Sequence, residues 1–143
     1  MKIKPILFDS IRTSHTSFRV DFQLETNITF IRGDSGVGKS AVFSFLEELA
    51  TEDKRIRCFN HLDINLNYKS SIRRTHGKPF VIDNADLLLD DRIREYIAQD
   101  GKNQYIIIGR NPTGLRLNYD EICELRSSAQ GEITTFTLER ASL

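Results

Sequence analysis

Residues Gly33-Asp34-Ser35-Gly36-Val37-Gly38-Lys39-Ser40 satisfy the pattern G-x-x-x-x-G-K-[ST] at every fixed position. The chemistry this pattern serves is phosphate binding. Its glycines let the backbone bend around an anion without side-chain clashes. Successive N–H groups turned inward form an anion nest, and the positive end of a helix starting near Lys39 adds to it. Lys39 supplies an ammonium for the terminal phosphates, and Ser40 a hydroxyl for Mg²⁺. A second candidate is Asp83, which ends the short apolar run Pro79-Phe80-Val81-Ile82. A buried strand there would carry the carboxylate out at its carboxyl end, where it can hold Mg²⁺ directly or through water.

Such a loop needs a strand before it and an amphipathic helix after it. Asn27-Ile28-Thr29-Phe30-Ile31-Arg32 runs into Gly33 and is rich in β-branched and aromatic residues. Beyond the loop, Val42, Phe43, Leu46 and Leu49 recur at helical spacing. Upstream, Phe18, Val20, Phe22 and Leu24 alternate with polar residues and predict a half-buried strand, and residues 5–11 predict another. An antiparallel ribbon thus leads into the loop.

Downstream, residues 55–59 read as a short strand, and the alternation of Leu62, Ile64, Leu66 and Tyr68 suggests an extended stretch. Residues 69–76 are polar and fit helix or loop. Between Asp86 and Gln99, Leu89, Ile93, Tyr96 and Ile97 share one helical face, with Asp90 placed to cap a shorter helix and Gly101 fit for a left-handed stop. Gln104-Tyr105-Ile106-Ile107-Ile108 reads as a buried parallel strand. Residues 121–126 and 132–138 read as two closing strands joined by a turn over 127–131. Strand and helix alternate after residue 27, which argues for an α/β protein with a largely parallel sheet.

The 143 residues suit one domain spanning 1–143. Twenty basic and twenty acidic residues cancel, so net charge does not indicate a nucleic acid or an anionic membrane as partner. Cys58 and Cys123 form no C-x-x-C pair and read as reduced core residues. No signal peptide and no apolar run of membrane-spanning length is evident, so a cytoplasmic location is expected.

The chain resembles the P-loop NTPase superfamily, and within it the ABC-type and AAA-type ATPases. The resemblance rests on the Walker A loop at Gly33–Ser40, the Walker B-like Asp83, the ribbon before the loop, and the order strand, Leu89-Asp90, helix, strand, Gly109-Arg110-Asn111-Pro112. It implies a three-layer sandwich with a mostly parallel sheet, an N-terminal antiparallel ribbon and a C-terminal β-hairpin. It also implies ATP and Mg²⁺ as ligands. Gly33, Asp34, Ser35, Gly36, Val37, Gly38, Lys39, Ser40 and Ala41 would hold the nucleotide, with Ser40 and Asp83 on the metal. Lys39, Asp83, Asn84 and Arg110 would serve catalysis.

The departures shape the functional reading. The family usually follows its Walker B aspartate with glutamate; here Asn84 stands there, and an amide orients water without taking its proton. No L-S-G-G-Q-like signature lies between Ser40 and Asp83. Arg110 replaces the family's switch histidine, as a γ-phosphate sensor or as a surface arginine. The expectation is a slow or partner-dependent ATPase. A nucleotide-dependent interaction module, working through a protein partner or self-association, is an alternative, and a small-molecule kinase is a weaker one. No N-K-x-D guanine motif is present. Lys69, Arg73, Arg74 and Lys78 form either a phosphate-binding lid or a solvated face. Asp86 is a second carboxylate near the water or an ordinary helix N-terminal acid. His15, His61 and His76 show no metal-ligand spacing and read as ordinary, and Phe8, His15 and Phe18 are either base-stacking or packing residues.

Overall fold

A computed structural model describes residues 6–33, 38–65 and 67–141. Eight strands form one sheet in the order β1-β2-β8-β7-β3-β6-β5-β4. The strands are β1 (Ser10–His15), β2 (Phe18–Gln23), β3 (Ile28–Arg32), β4 (Arg57–Phe59), β5 (Pro79–Ile82), β6 (Gln104–Gly109), β7 (Ile122–Gln130) and β8 (Ile133–Arg140). The α-helices among the described residues are α1 (Lys39–Glu52), α2 (Tyr68–Arg74), α3 (Ala85–Leu88) and α4 (Asp91–Gln99).

The three-layer P-loop sandwich with a mostly parallel sheet is not what the chain forms. The sheet is curled and mixed, with β1–β2 and β7–β8 paired antiparallel. Strand dominates over helix, and α2 and α3 are only 7 and 4 residues long. The physical reason lies in the connections and the C-terminus. Much of the chain between α1 and β5, and most of that between β6 and β7, folds as turns and 3₁₀ segments instead of long helices. The last two strands form a long hairpin whose outer arm, Arg126–Gln130, is exposed.

Alternation within the strands divides the core in two. Phe30, Phe80, Ile82, Tyr105 and Ile107 pack with Tyr68 and Ile72 of α2 and Ile93 and Ile97 of α4. Ile31, Val81, Ile106 and Ile108 pack with Val42, Phe43 and Leu46 of α1 and with Val20 and Phe22 of the ribbon. Both faces of β5 and β6 are therefore buried, which explains their unbroken apolar runs.

Four further expectations shift. The first strand starts at Ser10, with residues 6–9 outside it, and Pro5 lies outside the described residues. The stretch expected to be extended forms a 3₁₀ turn at His61–Asn65, and Tyr68 begins α2, which otherwise falls where helix or loop was expected; Leu66 lies outside the described residues. Local bonds impose that turn: Asn60 Oδ1 accepts the Leu62 N–H (2.8 Å), and Asp63 Oδ2 accepts the Asn60 N–H (2.8 Å). Asp90 does cap α4, accepting the Ile93 N–H at 2.9 Å. That helix ends at Asp100 in extended backbone, φ −72° and ψ 121°, with no left-handed glycine. The hairpin turn is Gly131-Glu132, because Gln130 pairs with Ile133.

Candidate functional site

β3, β6, β5 and β4 run parallel, so their carboxyl ends lie along one edge of the sheet. The residue after β5 is Asp83, and the residue after β6 is Arg110. Helix α1 begins beside them. Together they bound a cavity of about 690 Å³ lined by Gly38, Lys39, Ser40, Ala41, Asp83, Asn84, Asp86, Leu87, Ile108, Gly109 and Arg110. Asp34, Ser35, Gly36 and Val37 lie outside the described residues.

Gly38 caps α1 at φ 103°, and its carbonyl accepts the Val42 N–H at 2.9 Å. Side chains rarely adopt that conformation. The Lys39 ammonium donates to the Gly33 carbonyl, bridging the two ends of the loop. Ser40 is exposed in the first turn of the helix.

Asp83 is 9% exposed. Its main-chain N–H donates to the Phe59 carbonyl at 2.8 Å, which ties it to β4. Burial pushes its carboxyl above the ordinary value of 3.8, opposed by the Asn84 N–H bonded to Oδ1 at 2.9 Å and by the Lys39 and His61 charges. Asn84 takes a left-handed conformation, φ 50°, which Asn tolerates better than most residues. Its Nδ2 lies 3.0 Å from Nδ1 of His61, so that histidine sits beside the cleft.

The other candidates lie elsewhere. His15 stacks on Phe45 at 4.3 Å and its Nδ1 meets Glu48 Oε2 at 3.1 Å. Phe18 packs with Phe45 and Phe136, and Arg55 covers the Phe8 ring at 4.7 Å. Lys69 pairs with Asp90, and Arg73 lies over Tyr96 at 5.7 Å. Neither these residues nor Arg74 and Lys78 are among the described residues lining the cleft.

Asp86 does more than sit at a helix start. Its Oδ2 accepts the Arg110 N–H at 2.8 Å and its Oδ1 the Asn111 N–H at 3.0 Å. Behind it lies Arg94, 6% exposed, whose Nη1 donates to the Asn111 and Thr113 carbonyls at 2.8 Å each. Sequence inspection missed Arg94. The available signal was its place on the buried stripe of α4, three residues before Ile97.

Among the described residues no group of three or more His, Cys, Asp or Glu side chains is arranged to hold a metal ion by itself. Asp83 and Ser40, which both line the cavity, carry hard oxygen atoms of the kind Mg²⁺ takes. Cys58 and Cys123 are free thiols. No helix among the described residues is long and apolar enough to cross a membrane. Compared with protein-family models, curated proteins and solved structures, the chain matches none of them.

Proposed function

We propose that this cleft binds the polyphosphate of ATP together with Mg²⁺, and that hydrolysis is slow or needs a partner. The observation that supports this reading is the convergence of Gly38, Lys39, Ser40, Asp83 and Arg110 on one cavity. These residues come from three separate places in the chain, and each suits a different part of a magnesium triphosphate. The likeness to P-loop NTPases is proposed for the site alone.

In this reading Lys39 leaves the Gly33 carbonyl for the phosphates. Ser40 and Asp83 hold Mg²⁺, and the Asp83 carboxylate, disfavoured by burial, gains from a cation beside it. Mg²⁺ bound there neutralises negative charge on the triphosphate. Arg110 supplies a further positive charge where charge develops in phosphoryl transfer. Asn84 orients water but removes no proton from it, which accounts for the slow rate. Turnover assays on the wild type and on Asn84→Glu test the reaction. The variant should hydrolyse ATP faster; no turnover by either protein, dilute or concentrated, contradicts the enzymatic part.

A second reading has one observation in its favour. Leu87 on α3 is 66% exposed beside the cleft, and Leu62 and Ile64 on the adjoining 3₁₀ turn are 73% and 54% exposed. Exposed apolar side chains grouped in this way mark interaction surfaces. Here a second copy of the chain would dock when nucleotide is bound. Sedimentation with and without a non-hydrolysable ATP analogue tests this, and an unchanged mass removes it.

A further inference from the structure

We propose that Asp86 is a positioning residue for Arg110, and that the Asp86–Arg94 pair sets the loop after β6 so that the cleft distinguishes a triphosphate from a diphosphate. This inference rests on the nucleotide reading above.

The loop is gripped by both kinds of main-chain group. Asp86 takes the N–H groups of Arg110 and Asn111 at 2.8 and 3.0 Å. Arg94 takes the carbonyls of Asn111 and Thr113, and its Nη2 lies 3.6 Å from Asp86 Oδ1. The same guanidinium donates to the carbonyls of Leu89 and Ala85 at 3.2 and 3.4 Å, anchoring the loop to the residues around α3. Bonds from charged groups to main-chain partners are the stronger sort. Asn111 Oδ1 accepts the Thr113 N–H at 3.0 Å and stiffens the turn from within.

Close approach makes this possible. A Cβ on Gly109 would stand 3.2 Å from Asp86 Oδ1 and 3.3 Å from the Ala85 Cβ. A side chain at residue 109 would crowd the carboxylate, and its neighbours would have to give by a few tenths of an ångström. The bond to the Arg110 N–H restrains the main chain at the point where Arg110 joins the cleft wall. Each Asp86 oxygen accepts one main-chain N–H of the loop, which suits the carboxylate to aiming its neighbour.

Calorimetry in the presence of Mg²⁺ tests this with ATP and ADP on the wild type, Asp86→Ala, Arg110→Ala and the double variant. Each single change should weaken ATP about tenfold and leave ADP within about twofold, and the double variant should be no worse than Arg110→Ala. A purely structural role would weaken both nucleotides alike, and that outcome overturns the proposal, as does an additive loss in the double variant. If Asp86→Ala fails to fold, Asp86→Asn, which keeps one of the two acceptors, replaces it in the same cycle with a smaller expected loss. Wild-type protein that binds neither nucleotide overturns the underlying nucleotide reading as well. Wild-type protein that binds both and gives an additive cycle overturns the positioning role alone.

Discussion

A Cβ placed on Gly38 would stand 2.7 Å from Cε1 of Phe136. The C-terminal hairpin thus packs against Gly38 where α1 starts, with Phe136 only 5% exposed. Gly38→Ala therefore combines a clash with a strained φ of 103°. It should lower stability by about 1–3 kcal/mol, read from urea unfolding. A stability equal to wild type would show that the hairpin yields freely at this contact.

Asp83 ties stability to pH. Burial holds its folded pKa above the ordinary 3.8. A carboxyl raised in this way keeps its proton longer in the folded state. Its contribution is fully present below the unfolded value and is lost as pH rises through the raised one. Asp83→Asn should then raise Tm by a few degrees at pH 7, with the gain shrinking as pH falls toward the ordinary carboxyl range. The same change should weaken Mg²⁺-dependent ATP binding. A lower Tm at pH 7 would contradict the burial argument.

Arg94 is a buried cation, and four carbonyls accept from it, those of Ala85, Leu89, Asn111 and Thr113. Arg94→Ala removes this donor from all four, of which the Ala85 carbonyl keeps its bond from the Leu89 N–H at 2.9 Å, and opens a void. The expected loss is about 3 kcal/mol, measured by chemical denaturation. Arg94→Lys should recover only part of it, because an ammonium cannot reproduce the planar fork.

Burial pushes the Cys58 thiol up to about 12, with a further contribution from Glu47. At pH 7 its thiolate fraction falls about a thousandfold below that of a free cysteine. Iodoacetamide should label folded protein at this position far more slowly than unfolded protein, as peptide mapping after timed quenching would show. Rapid labelling of the folded chain would contradict the burial of the Cys58 thiol.

Lys39, Ser40 and Asp83 stand out in the sequence by motif and spacing, and Asn84 and Arg110 only by the resemblance; all five line one cleft. The strands that precede Asp83 and Arg110 are marked by unbroken apolar runs, as burial on both faces requires. The overall architecture was less legible in part because the 61–65 turn is set by side-chain bonds of Asn60 and Asp63, which periodicity does not register. The hairpin's full length also escaped notice. Ser127, Ser128 and Gln130 look like turn residues, yet they pair with Phe136, Thr135 and Ile133. Asp86 and Arg94 act on main-chain atoms of a loop distant in sequence, a relationship that no local pattern encodes.

The most direct test of the central claim is a calorimetric titration of the folded protein with ATP in the presence of Mg²⁺, alongside Lys39→Ala. Saturable binding by the wild type, weakened at least about tenfold in the variant, is the predicted result. Absence of binding heat from the wild type, or identical isotherms from both proteins, would contradict it.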